Sequence, residues 1–227
     1  MSNAKMHAVL SALGSVPSCG TIGLGSGSTM AIFARELGNK IRNEKLDLSV
    51  VPTSYQAYRL AIENGLPLTT LDEHPDLSLA IDGADEVDEF LNLIKGGGGA
   101  LLREKVVAYA SRNFIVVVDE SKLVRKLGAR FPIPVEVLPF AVEVVRRKFA
   151  EMGLEAELRE GRAKLGPVVT DNGNFILDLK NVGPLDDPRD FSIHLRAIPG
   201  VIETGLFIGM THEVHVGTET GAFIIRR

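Results

Sequence analysis

Four short apolar runs, at 21–24, 48–51, 77–81 and 114–118, each lead within two residues into glycine, hydroxyl or acidic residues and alternate with stretches of helical spacing. Alternation of this kind argues for an α/β fold with a mostly parallel, doubly wound, Rossmann-like sheet. The run Phe114 to Val118 is unbroken, as in a strand covered on both faces, and ends in Asp119-Glu120-Ser121-Lys122. After the first run, Met30, Phe33, Ala34 and Leu37 share one helical face. A helix over 58–64 capped by Gly65, a short strand over 68–71 and a helix over 100–110 complete this part.

Around Arg130 the texture changes. Phe131-Pro132-Ile133-Pro134 reads as a proline-marked linker. Beyond it the pattern predicts a strand (135–138), a helix (140–152), strands (156–159 and 175–179), a helix (191–197) and a strand (201–207). That βαββαβ order is the split, ferredoxin-like arrangement. The expectation is therefore a main domain over 1–130 and 207–227, interrupted by an α+β lid domain over 131–206. Strands over 212–216 and 222–225 would return to the main sheet. Ser2-Asn3-Ala4 resembles the remnant of an expression tag and is left out of this expectation, with the first helix set at 7–13.

A net charge of −4 gives no basic face broad enough for nucleic acid, though a few local lysines could hold a small anion. One cysteine, Cys19, forbids a disulfide framework within the chain and suits a reducing cytoplasm. No apolar run approaches the roughly 18 residues of a membrane span, and no secretory leader is evident.

The chemistry concentrates in 81–105. Ile81-Asp82-Gly83-Ala84-Asp85-Glu86-Val87-Asp88 delivers carboxylates at a strand end. Lys95 then precedes four glycines, 96–99, which let the backbone approach a ligand closely. A helix carrying Glu104 follows. Upstream, Gly25-Ser26-Gly27-Ser28-Thr29 lies between strand and helix, where helix N–H groups hold phosphate. It is neither a Walker A loop nor G-x-G-x-x-G, and a plain N-capping turn accounts for it equally well. His212-Glu213-Val214-His215 lacks the spacing of a zinc helix, so no metal is expected. Carboxylates with a lysine suit proton abstraction beside a carbonyl, the cation or N–H donors holding the developing oxyanion.

These motifs, with Pro-Thr-Ser-Tyr-Gln at 52–56, Asp-Glu-Ser-Lys at 119–122, Pro-Val-Glu-Val-Leu-Pro-Phe at 134–140, Thr-Asp-Asn-Gly-Asn at 170–174 and Pro-Gly-Val-Ile-Glu-Thr-Gly-Leu-Phe at 199–207, resemble ribose-5-phosphate isomerase, type A. The resemblance runs in order over nearly the whole chain. It implies interconversion of ribose 5-phosphate and ribulose 5-phosphate in the pentose phosphate pathway, without metal or coenzyme, by a cytoplasmic homo-oligomer, a dimer or a tetramer. Carried over by position, Glu104 is the proton acceptor, with Asp82, Asp85 and Lys95 assisting. Ser26, Gly27, Ser28, Thr29, Asp82, Gly83, Ala84, Asp85, Lys95, Gly96, Gly97, Gly98 and Lys122 bind substrate. Ser26 stands where many members have threonine, and Thr204 where asparagine is common. The N-terminal helix matches poorly, which leaves open a phosphate contact from Lys5 of the kind the family's N-terminal lysine would imply. Two other readings are a non-catalytic sugar-phosphate sensor, as in sugar-responsive repressors, and an acyl-CoA transferase. Against the first stand the acid at 104 and the lack of a DNA-binding pattern ahead of the first strand; against the second, the Asp-Gly-Ala-Asp match.

Overall fold

The computed structural model describes residues 3–161, 163 and 165–227. In chain order its helices are α1 (Asn3–Leu13), α2 (Ser28–Glu44), α3 (Tyr55–Glu63), α4 (Leu101–Tyr109), α5 (Val142–Glu151) and α6 (Pro188–Arg196). Its strands are β1 (Cys19–Leu24), β2 (Asp47–Pro52), β3 (Leu79–Asp82), β4 (Glu86–Val87), β5 (Leu93–Ile94), β6 (Phe114–Asp119), β7 (Ile133–Val137), β8 (Glu155–Leu158), β9 (Phe175–Lys180), β10 (Val201–Thr204), β11 (Leu206–Phe207), β12 (Glu213–Gly217) and β13 (Ala222–Arg226). The chain divides into two compact units. One takes in the chain up to Ala84, Arg103–Lys122 and Met210–Arg227; the other takes in Asp85–Leu102 and Leu123–Gly209.

The first unit is built on a six-stranded sheet in the order β13-β12-β6-β3-β1-β2. All neighbours are parallel except the antiparallel edge pair β12 and β13. Its central strand β6 is buried from Phe114 to Val118, as an unbroken apolar run demands of a strand between two layers. The expected face of α2, Met30, Phe33, Ala34 and Leu37, is wholly buried in the core with Ile22, Leu24 and Val50. Burying a side chain the size of Phe33 contributes roughly 1.5–3 kcal/mol.

Two expectations change here. The strand over 68–71 reduces to one parallel bridge between Leu68 and Val50. Thr70 then turns the chain, its Oγ1 accepting from the Glu73 N–H at 3.3 Å, before a ladder can lengthen. The first helix also begins earlier than 7, at Asn3, because Ala4 is a core residue, 6% exposed, rather than part of a dispensable remnant. Ser2 lies outside the described residues.

The second unit carries a four-stranded antiparallel sheet, β10-β7-β9-β8, with α5 and α6. Val135, Val137, Leu177 and Leu179 pack there with Val145, Phe149 and Leu195. The expected 131–206 segment lies inside this unit, which also holds a small sheet, β11-β5-β4. The 170–174 turn is tied to β7 by Glu136, fully buried. Its Oε1 accepts from Thr170 Oγ1 (2.8 Å), Asn172 Nδ2 (3.1 Å) and Asn174 Nδ2 (2.9 Å).

The two histidines of the 212–215 stretch have structural partners. His212 Nδ1 accepts from the Phe114 N–H at 3.0 Å. His215, fully buried in β12, lies 2.8 Å from Ser11 Oγ of α1 through Nδ1 and 3.3 Å from Glu213 Oε2 through Nε2. Burial lowers the His215 pKa below its ordinary 6.5, the Glu213 carboxylate offsetting this in part. The folded state therefore holds His215 neutral, while the unfolded chain takes up a proton near pH 6.5. Stability is full above that pH and falls as acidification proceeds below it, by at most about 1.4 kcal/mol per pH unit for one proton. Melting temperatures between pH 7.5 and 5.5 should show the loss, and a His215→Gln variant should show a flatter slope.

Candidate active site

The parallel strands of the first unit bring their C-terminal ends to one edge of the sheet. β2 flanks β1 on one side and β3 on the other, so the winding reverses between β1 and β3. Open α/β sheets bind ligands at that reversal. Asp82 ends β3 there and is 2% exposed. Its Oδ1 accepts from the N–H groups of Ser26 (3.1 Å) and Gly83 (2.7 Å). Gly25 allows the approach: its N–H donates to the Ile81 carbonyl at 2.9 Å, and a Cβ at this position would overlap the Asp82 carboxylate.

The loop after β1 is held by the loop after β2. Ser26 Oγ lies 2.9 Å from Thr53 Oγ1 and 2.6 Å from Ser54 Oγ. Ser54 also caps α3, accepting from the Ala57 N–H at 3.0 Å. Gly27, with φ of 100°, donates its N–H to Gln56 Oε1 at 2.9 Å. No side chain caps the N-terminus of α2, so the first N–H groups of a 17-residue helix, at Ser28 and Thr29, point out beside two hydroxyls. Lys5 of α1 donates to Ser28 Oγ at 3.0 Å. Helix dipole, uncapped N–H groups, hydroxyls and an ammonium are the groups from which an anion site can be built.

Glu104 lies in the first turn of α4 and is 6% exposed. Its neighbour Arg103 sits 5.4 Å from the centroid of the Tyr55 ring at the start of α3, within cation–π range. Lys122 is half-buried in a 3-10 turn after β6. That turn is shaped by Asp119 Oδ1, which accepts from the Ser121 N–H at 3.1 Å. Among the described residues Lys122 makes no hydrogen bond to the 26–29 loop.

In the second unit Lys95 follows β5 and is 3% exposed. Its N–H donates to the Gly205 carbonyl at 2.8 Å, and its Nζ stands 5.5 Å from the centroid of the Phe207 ring. Asp85 takes the Gly97 N–H on Oδ2 at 2.8 Å, and the Gly99 N–H turns back to the Gly96 carbonyl at 3.0 Å. Gly96 has φ of 106°, and a Cβ on it would come within 2.8 Å of Leu101 Cδ2. Of the glycine N–H groups expected to face a substrate, that of Gly97 is thus committed to Asp85, while Gly98 is exposed, with open space where a Cβ would stand.

The carboxylates of 82–88 divide by task. Glu86, 1% exposed, accepts from the N–H groups of Gly128 (2.8 Å), Arg130 (2.6 Å) and Phe131 (2.8 Å), so it binds the chain after the second entry into this unit. Asp88 organises its own turn, accepting from Phe90 and Asn92 N–H groups at 2.9 and 2.8 Å. Thr53 joins the first-unit loops without having been expected there, and Lys5 takes a place beside Ser28 that the sequence left open. Thr53 adjoins the hydroxyl of Ser54 and could have been read from that pair. Lys5 lies 23 residues from Ser28 and carries no local signal.

A family model for Ribose 5-phosphate isomerase A (phosphoriboisomerase A) matches residues 49–221. The Ribose-5-phosphate isomerase A of Methanothermobacter thermautotrophicus is 50% identical over 224 residues, 99% of this chain and 98% of that protein. The solved ribose 5-phosphate isomerase A of Methanocaldococcus jannaschii superposes with a TM-score of 0.94 at 48% identity, covering 99% of each chain. A D-ribose-5-phosphate isomerase solved in complex with phospho-erythronic acid superposes with a TM-score of 0.95 at 46% identity, covering 99% of this chain and 98% of that one.

Gly25→Ala should force the Asp82 carboxylate off its two N–H donors. Overpacking of this kind costs about 1–3 kcal/mol, which a denaturant titration would register as a lower midpoint at unchanged slope.

Proposed function

The chain belongs to the ribose 5-phosphate isomerase A family, and from that premise we propose that it interconverts D-ribose 5-phosphate and D-ribulose 5-phosphate through an enediolate. The observation that carries the reading is the uncapped N-terminus of α2 with Lys5 and Ser28, adjoining a buried carboxylate at the reversal between β1 and β3. Phosphate is assigned to Ser28, Thr29 and Lys5, with Ser26 and Gly27 shaping the loop and Lys122 adding a second cation. A phosphate dianion gains there from helix N–H groups and from charge-assisted hydrogen bonds.

Glu104 is assigned as the base. It takes the C2 proton of the open-chain aldose, the carbonyl oxygen gains a proton, and the resulting enediol loses its O2 proton as C1 is reprotonated. Negative charge develops on oxygen between these steps. Lys95 and the Gly98 N–H are the assigned donors, and preorganised donors of this type typically contribute around 3 kcal/mol. Gly96 and Gly97 hold the shape of their loop. Asp82 and Asp85, with Gly83 and Ala84 between them, are assigned to the sugar hydroxyls, including the proton moved when the furanose ring opens. The step requires no metal or coenzyme in this scheme, so turnover should persist with a chelator present.

The same reading places the chain in the pentose phosphate pathway, in the cytoplasm and as a homo-oligomer. The single, free Cys19 is exposed, which suits a reducing compartment. Among the described residues no helix is long and apolar enough to cross a membrane. Residues 131–206 are proposed as an inserted domain, since their elements complete a βαββαβ order among themselves.

Glu104→Gln keeps size and hydrogen bonding but cannot accept the proton. Turnover should fall by about two to four decades, with the Michaelis constant within a few fold and exchange of the C2 hydrogen into deuterated solvent lost. Wild-type turnover in this variant would move the base to Asp82 or Asp85. Thr29→Ala and Lys122→Ala should instead raise the Michaelis constant for ribose 5-phosphate with a smaller effect on turnover; if neither changes it, the phosphate assignment fails.

A further inference from the structure

The second unit contains a cation that none of the roles above employs. Arg159 follows β8, its backbone fixed by the Arg159 N–H to the Ile176 carbonyl (2.9 Å) and by the Val168 N–H to its own carbonyl (2.8 Å). Its guanidinium grips Asp178 of β9 with two donors, Nε to Oδ2 at 2.8 Å and Nη2 to Oδ1. Both side chains are only 15% exposed. With the fork anchored, Nη1 reaches the 96–99 loop and donates to the Gly96 carbonyl at 2.7 Å and the Gly97 carbonyl at 3.2 Å. Four of the five guanidinium donors are thereby used, in a fixed plane that lysine cannot reproduce.

The consequence follows from peptide geometry. Across a trans peptide the C=O and the following N–H point in opposite directions. Drawing the Gly96 carbonyl to Arg159 turns the Gly97 N–H the other way, where Asp85 Oδ2 receives it at 2.8 Å. Drawing in the Gly97 carbonyl turns the Gly98 N–H outward in the same manner. That N–H makes no hydrogen bond among the described residues, and nothing lies within 4 Å of where a Gly98 Cβ would stand. Four successive glycines have more conformational freedom to lose than any other sequence, so an untethered loop would present this donor only part of the time.

We propose that Arg159, held by Asp178, is a positioning residue that aims the Gly98 N–H at the oxyanion formed during isomerisation. The proposal rests on the isomerase reading above. The competing account is that Arg159 merely neutralises Asp178. The two differ in what a lysine does: it keeps the charge for Asp178 but cannot grip the carboxylate with two donors while tethering two carbonyls.

The experiment compares wild type with Arg159→Lys and Arg159→Met. It measures steady-state kinetics on ribose 5-phosphate, and inhibition by a phosphorylated hydroxamate that mimics the enediolate and by inorganic phosphate. Both variants should lose roughly tenfold to a hundredfold in kcat, less than or comparable to deletion of a preorganised donor, with KM within about threefold. The hydroxamate inhibition constant should rise with the loss in kcat/KM, while that of phosphate stays level. Arg159→Lys with kcat within twofold of wild type overturns the proposal, as does an equal loss of affinity for hydroxamate and phosphate. Should Arg159→Met fail to fold, the inhibitor pair measured on Arg159→Lys decides alone. A wild-type protein that does not turn over ribose 5-phosphate overturns the isomerase reading itself.

Discussion

A carboxyl group removed from water must be met by partners, and at Asp82 two of them are backbone N–H groups. Oδ1 receives the Ser26 and Gly83 N–H groups, one from the exit of β1 and one from its own strand end. A carboxyl group that is 2% exposed would otherwise bear the full cost of its desolvation. The rest of the first-unit edge depends on this junction. Gly25 must lack a side chain, Ser26 turns its hydroxyl toward Thr53 and Ser54, and α2 begins at Ser28, directly after Gly27, with its N-terminus uncapped by any side chain. The uncapped N-terminus of α2 and the acid at the end of β3 are thus two outcomes of one close approach between neighbouring parallel strands.

The second unit repeats the logic with different chemistry. Its glycine loop is pulled from both sides, carbonyls by a guanidinium and one N–H by Asp85. Rigidity at 96–99 therefore resides in side chains 12 and 63 residues away along the chain from their loop partners. Glycine supplies the permitted conformations, and distant charged groups select among them.

Much of this was legible beforehand. Asp82 stands at the end of an apolar run, so a strand-end carboxylate followed from pattern alone, and the buried face of α2 followed from its spacing. The helical and strand order of 131–206 was legible for the same reason. What escaped was tertiary. Glu86 and Asp88 are the same residue types as their neighbours, and only three-dimensional placement shows them occupied with backbone N–H groups. Lys5 and Arg159 reach their loops from elements remote in sequence, where no local periodicity records the destination. The strand expected at 68–71 failed because an apolar pair beside β2 can form one bridge without supporting a ladder once Thr70 turns the chain.

Helix α1 rests on β12 so closely that a Cβ at Gly217 would overlap the carbonyl of Ala4, one residue before Lys5. The ammonium beside α2 is therefore gauged by a backbone contact, with no side chain to yield as padding. A side chain at this plain glycine would have to displace the helix that carries Lys5, although the residue itself bears no functional group. Surveys that rank positions by side-chain chemistry would overlook it for the same reason.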